Sequence, residues 1–320
     1  RSLYHDQQVY LSFPYYYKPL FDLIVLSSLY VFGYSLHSVL YINIFSFAFS
    51  ILSIGIIGRE LLGKRIGIIA ALLFMTSGSM LVQARTGMAH MPSIAIFLAG
   101  ILLYLYLLRG KMHGKKYWQV GFVWAAALAV HPTMLPFIFV IFFAGLFHFW
   151  RLGGLKSSIV HSIYLVTGIS ILFIFIEAAY QIIGVFLEGV LASTRSWEAV
   201  AFRTYFEQIL LHADSVVRGK PTILDKIYTY LGLYLAHEGI IVGFLATAAS
   251  VHFLYTRKNI TGILLVTLFW LPFLLLIFSK NQAVYRYSSG LIVPSVFLAA
   301  FSLERILLYL EQLFNKERRW

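Results

Sequence analysis

A handful of ionisable side chains stand at the borders of long apolar runs, and their types define what chemistry the chain has available. Asp6, Lys18, Arg85 and Arg286 lead this set. A carboxylate such as Asp6 can take a proton from a nucleophile as a general base. Lys18, Arg85 and Arg286 can neutralise negative charge that develops on oxygen in a partly dry site. His90 and His131 are loop or packing histidines on one reading and metal ligands on the other, and neither has a second ligand at metal-binding spacing in sequence. Glu177 lies inside the apolar run 159–187, where an ionised carboxylate is costly, so it calls for either a function or a partner. Lys18 serves equally as a snorkelling anchor. A charge at a membrane border is an anchor, a topology signal or a site, and the surrounding elements decide which.

Of the 320 residues, 60% are hydrophobic and 12% charged, and the mean hydropathy is +0.82. A soluble domain needs a polar exterior and has no use for so much apolar surface. Apolar runs long enough to enter a bilayer recur along the whole chain, which predicts an all-α, polytopic integral membrane bundle. The net charge of +12 sits in short clusters between those runs. That placement is a topology signal and gives no reason to expect nucleic acid. With no cysteine, disulfides and thiolate chemistry are excluded.

Spans are expected near 38–57, 66–83, 92–108, 117–130, 133–150, 159–187, 238–256, 260–279 and 287–308, about nine in all. Arg59/Lys64/Arg65, Arg109/Lys111/Lys115/Lys116, Arg151/Lys156, Arg257/Lys258 and Arg305/Lys316/Arg318/Arg319 fall in one set of connectors, which the positive-inside rule makes cytoplasmic. The other set holds Arg85–His90, His131-Pro132, the 188–237 segment and Lys280–Arg286, and is expected outside. The run 21–32 is too short to span comfortably. As an interfacial or re-entrant helix it puts Asp6 and Lys18 on that same outer face. The chain is then expected to start outside, which calls for an upstream span or a cleaved signal. Read this way, residues 1–320 form one transmembrane domain with outer-face segments 1–37 and 188–237, the first carrying the interfacial helix. Proline disfavours helix at the residue before it, so His131-Pro132 marks a tight turn between two helices.

Several motifs occur in a specific order: Asp6-Gln7-x-x-Tyr10; Lys18-Pro19-Leu20 opening a helix that ends at Phe32-Gly33; Gly58-Arg59-Glu60-Leu61-Leu62-Gly63; Ala84-Arg85-Thr86-Gly87-Met88-Ala89-His90-Met91-Pro92; and Tyr285-Arg286-Tyr287 with Pro294. Together they resemble the GT-C superfamily of polyprenyl-phosphate-sugar-dependent glycosyltransferases. The likeness is closest to the protein O-mannosyltransferase and aminoarabinose-transferase-like branch (glycosyltransferase family 39-like). Two positions depart from that pattern. Gln7 stands where the family has a second carboxylate, and His90 stands where it has an acidic residue.

The resemblance implies a GT-C-like membrane bundle that transfers a sugar, with inversion, from a polyprenyl-phosphate donor to a protein, lipid or glycan acceptor on the extracytoplasmic side. It implies Asp6 as the catalytic base, and Lys18, Arg85, Arg286 and Tyr287 as phosphate or donor contacts. His90, His131, Glu177, Trp197 and Glu198 are additional candidates, with Trp197 suited to stacking on a sugar face. A divalent metal stays open as a cofactor, and other subunits of a membrane complex as partners beside the lipid bilayer. Two other readings compete. The Gln7 and His90 departures suit a catalytically silent GT-C-like subunit. A transporter or flippase would want intramembrane charge pairs and repeated halves, and the charges here cluster in outer loops instead.

Overall fold

A computed structural model describes residues 18–109, 114–192, 222–256, 260–278 and 290–317. Among them there are eleven α-helices and no strand. These are α1 (Pro19–Phe32), α2 (Leu36–Leu61), α3 (Lys64–Met75), α4 (Gly78–Ala84), α5 (His90–Arg109), α6 (Tyr117–Val130), α7 (Leu135–Ala192), α8 (Ile223–Glu238), α9 (Ile240–Thr256), α10 (Ile260–Phe278) and α11 (Ile292–Glu317). The exterior is greasy: Leu26, Phe175, Ile182 and Phe244 are each more than 60% exposed. Such a surface suits lipid and not water.

Helices occupy the expected runs, but their number as separate crossings is smaller on strict criteria. His37–Leu61, His90–Arg109, Pro132–Ala179 and Ile292–Asn315 are long and apolar enough to cross a membrane, and two bent helix pairs bring the total to six. The bent pairs are α3 with α4, at 60°, and α8 with α9, at 112°. The run 66–83, read from sequence as one span, thus breaks at Thr76-Ser77. The long α7 is two arms in practice. Gly153 and Gly154 leave helical geometry, Gly154 at φ +71°, where a side chain would be strained. Ser158 Oγ then donates to the Leu146 carbonyl at 2.9 Å, so the arms fold back on one another. The sequence reading divides 133–150 from 159–187 at this point. At the two edges of the expected outer segment 188–237, α7 continues to Ala192 and α8 begins at Ile223.

Small residues let the helices approach closely, as membrane bundles require when lipid is as apolar as the side chains. A Cβ on Gly58 of α2 would lie 2.7 Å from the Gly67 Cα of α3. Between α6 and the second arm of α7, a Cβ on Gly121 would overlap the Leu165 carbonyl oxygen, and one on Gly168 would overlap that of Trp118. Around these crossings Phe74, Phe97, Trp124, Tyr230 and Phe253 are fully buried in one continuous core.

The two ends of the bundle differ in charge. At one end Glu60 pairs with Arg59 at 3.0 Å and with Arg109, while Arg65 meets Glu311 at 3.3 Å. The ends of α2 and α5, the start of α3 and the second half of α11 therefore gather there, which is the grouping the Lys/Arg clusters predict. The pairs are largely exposed on the arginine side and are worth little individually. The opposite end carries the candidate site.

Candidate functional site

The site end is built from the start of α1, the α4–α5 loop, the α6–α7 turn and the outer part of α7's second arm. Leu20, in the first turn of α1, packs with Ala125 and Ala129 of α6 and with Leu172 and Ile176 of α7. Lys18 stands just before α1 as its N-cap residue, with Pro19 at the first helical position, where its missing N–H costs nothing. Glu177 follows Ile176 at the same level and accepts a hydrogen bond from Gln181 Nε2 at 2.9 Å. The apolar run around Glu177 thus supplies a polar neighbour one turn away.

Arg85 is held by a clamp that sequence inspection does not reveal. Asn43 is fully buried in α2, and its Nδ2 donates to the carbonyls of Gln83 and Met88 at 3.1 Å each, and to that of Thr86. These carbonyls lie on both sides of Arg85, so the loop is pinned from beneath while the guanidinium stays exposed. Beside it Ser93 Oγ donates to the Ala127 carbonyl at 2.9 Å and to that of His131 at 3.2 Å, which fastens the start of α5 to the end of α6.

This fastening explains the two histidines. His90 and His131 are each 2% exposed, and their rings lie 3.9 Å apart at 42°. His131 Nδ1 accepts the Thr133 N–H at 3.3 Å and lies 3.0 Å from the Thr133 hydroxyl, which holds the ring at the head of the turn. Forty-one positions separate the two rings in sequence, and only the helix packing joins them. No group of three or more His, Asp or Glu side chains that could hold a metal occurs among the described residues.

Two carboxyls escape the sequence reading. Asp22 lies one turn beyond Lys18 in α1. Burial pushes its pKa up from the ordinary 3.8 to about 6, with the nearby Lys18 charge pulling the other way. The fully transmitted shift would be worth about 3 kcal/mol, and screening of a partly exposed group leaves about 1 kcal/mol. Because the folded value is the higher one, the folded chain holds more protons between pH 4 and 6. Stability is therefore expected to fall as pH rises through that window. In Asp22→Asn that slope should vanish in thermal unfolding curves recorded from pH 4 to 7.

Glu238 is the second. It ends α8 and is 9% exposed, next to Gly239, where α8 and α9 bend apart. Its carboxylate accepts the Ser77 hydroxyl at 2.6 Å and also that of Ser79. Ser77 in turn caps α4, accepting the Met80 N–H at 3.3 Å. The breaks of both bent pairs are therefore tied together by one carboxylate, a single seven-residue helix, about 10 Å, below Arg85. A signal was present: an acid before glycine at the head of an apolar run, and Ser-Gly-Ser inside another. Removing the acceptor strands two buried hydroxyls, so Glu238→Ala should cost about 2–3 kcal/mol. Glu238→Gln, which keeps an acceptor, should lose less in the same detergent unfolding assay.

Of the residues expected from sequence, Lys18, Arg85, His90, His131 and Glu177 share this end. Asp6, Arg286, Tyr287, Trp197 and Glu198 lie outside the described residues. The arrangement combines a half-buried lysine, Lys18, and an exposed arginine, Arg85, with half-buried and buried carboxyls on helix ends. It is suited to holding an anionic group against a bilayer border.

No family model and no curated protein matches the chain. Solved structures do. The oligosaccharyltransferase AglB from Archaeoglobus fulgidus, in complex with an inhibitory peptide and a dolichol-phosphate, aligns at a TM-score of 0.54 and 14% identity, over 96% of this chain and 45% of that one. The oligosaccharyltransferase of the same organism in complex with Zn and sulfate aligns at 0.52 and 15%, over 93% of this chain and 42% of that one. Its apo form gives 0.52 and 15%, over 94% and 44%. The chain thus shares the helical fold of part of an archaeal oligosaccharyltransferase, and spans less than half the length of the proteins it resembles.

Proposed function

We propose that the chain is an integral-membrane glycosyltransferase of the GT-C type. It takes a sugar from a polyprenyl-phosphate donor and passes it to a protein, lipid or glycan acceptor at the extracytoplasmic face. The observation that carries this reading is the co-location of Lys18 and Arg85 at one end of a fold shared with a glycosyltransferase, away from the basic clusters. The positive-inside rule makes the basic end cytoplasmic, which turns Lys18 and Arg85 outward. One neighbour was solved with a dolichol-phosphate and a peptide, which supports a polyprenyl-linked donor and keeps a peptide among the acceptors.

In this reading Lys18 and Arg85, with Arg286 and Tyr287, receive the departing phosphate, and Asp6 activates the acceptor. Each of the expected runs crosses the membrane once, about nine crossings, with the bent and short helices counted singly. α1 lies in the interface. The chain forms one transmembrane domain, and 188–237 tops it on the acceptor side, with Trp197 and Glu198 toward the sugar and Glu177 beside the donor.

The test is transfer of a labelled sugar from a polyprenyl-phosphate donor in membranes carrying the full chain, with Asp6, Lys18 and Arg85 replaced singly by Ala. Transfer that survives all three at normal expression sinks the reading. One observation favours a second. His90, where the resemblance asks for an acid, is packed against His131 and sealed from solvent. A silent subunit of a larger membrane complex would show no transfer with the unmodified chain, yet would stay bound to its partner subunits on purification.

A further inference from the structure

The basic end holds a second built site, unconnected to the chemistry above. At the Gly153–Gly154 break of α7 a cleft of about 370 Å³ opens. Tyr117 and Phe149 wall it, and Lys156, Ser157 and His161 line it with polar groups. His161 is 2% exposed, stacked on Phe149 at 3.9 Å and edge-on to Tyr117 at 4.5 Å. Neither of its ring nitrogens has a hydrogen-bond partner among the described residues. A buried imidazole with both nitrogens idle is unfavourable unless an outside group completes it.

The chemistry of the lining says which group. An ammonium, a hydroxyl and an imidazole can all donate, and no carboxylate lines the cleft. Exposed Lys115 and Lys116, on the turn that packs against α7, add positive charge beside Tyr117. Val160, also lining the cleft, is 40% exposed on the apolar exterior, so the opening faces lipid. We propose that this cleft binds the phosphodiester headgroup of an anionic lipid from the leaflet at the basic end. Lys156 neutralises the phosphate, Ser157 and His161 donate to its oxygens, and the acyl chains run along the exterior past Val160. Basic pockets between helices commonly serve lipid headgroups in this way.

Native mass spectrometry of the full chain, released from detergent with equimolar phosphatidylglycerol and phosphatidylcholine, tests the assignment. The chain is expected to retain one phosphatidylglycerol in preference to phosphatidylcholine. Lys156→Gln should weaken that retention by about tenfold, and His161→Phe, which keeps the ring stack and removes the nitrogens, should do the same. Lys64→Gln, which removes a like charge at the same end but outside the cleft, should leave it unchanged. Lys156 is exposed, so its variant carries the test even where His161→Phe fails to accumulate. Equal retention of the two lipids, unchanged retention in Lys156→Gln, or displacement of the lipid by inorganic phosphate at matched concentration would each overturn the proposal.

Discussion

Replacing Arg85 by Ala is expected to lower sugar transfer by about a hundredfold or more, with the chain still folded and inserted. The magnitude follows from what one preorganised cationic donor contributes to a departing oxyanion in a partly dry site. The expectation of intact folding follows from the geometry. The Arg85 guanidinium is exposed, whereas its loop is held by Asn43 through backbone carbonyls that no side-chain change at Arg85 disturbs. Arg85→Lys should recover part of the rate, since it restores the charge but not the fork of donors. Asn43→Ala should damage transfer by a different route. The Gln83, Thr86 and Met88 carbonyls lose their donor, and the loop carrying Arg85 loses its fixed position. A rate unchanged in Arg85→Ala, measured at saturating donor in membranes with matched protein levels, would remove this residue from the donor site.

The largest structural effect is expected at Gly168. Even alanine there puts a methyl into the Trp118 carbonyl oxygen, which belongs to the backbone of α6 and cannot swing aside. The two helices must separate along the whole crossing, and Gly121 faces Leu165 across the same contact. Overpacking of this kind costs about 3 kcal/mol or more. Gly168→Val should therefore fail to accumulate as folded protein, and Gly168→Ala should melt well below the unmodified chain in detergent. Gly232 makes a suitable comparison, since a Cβ there meets nothing within 4 Å. Gly232→Ala is expected to be neutral or slightly stabilising.

Much of the helix layout was legible because bilayer-length apolar runs declare themselves without any knowledge of their neighbours. The short run 21–32 forms a short helix, Pro19–Phe32, and His131-Pro132 forms a turn. The clustering of Arg59, Arg65 and Arg109 at one end likewise follows from charge parity alone. The break at Ser77 was only half legible: Thr76-Ser77-Gly78-Ser79 interrupts the run 66–83, but the bend depends on Glu238, 161 positions away. The His90–His131 contact was hidden for the same reason: each histidine looked solitary until α5 and α6 were packed. Asp22 was overlooked inside a run counted as apolar. Its neighbour Lys18 drew notice because it stood outside that run. Sequence reveals which segments are buried in lipid, while the partners of polar groups within them are set by contacts between distant positions.

The brevity of α6 has a mechanical consequence for the surrounding lipid. Its 14 residues reach about 21 Å, against a hydrocarbon core about 30 Å thick. As a single crossing α6 would fall about 9 Å short, and α1 leans on it at the end that carries Lys18 and Glu177. A crossing helix shorter than the hydrocarbon core is accommodated by local thinning of the bilayer or by snorkelling of flanking residues. Where thinning takes up the shortfall beside α1, a headgroup-borne phosphate would reach the depth of Lys18 and Arg85 along a dimpled lipid surface, with less of its hydration to give up on the way in.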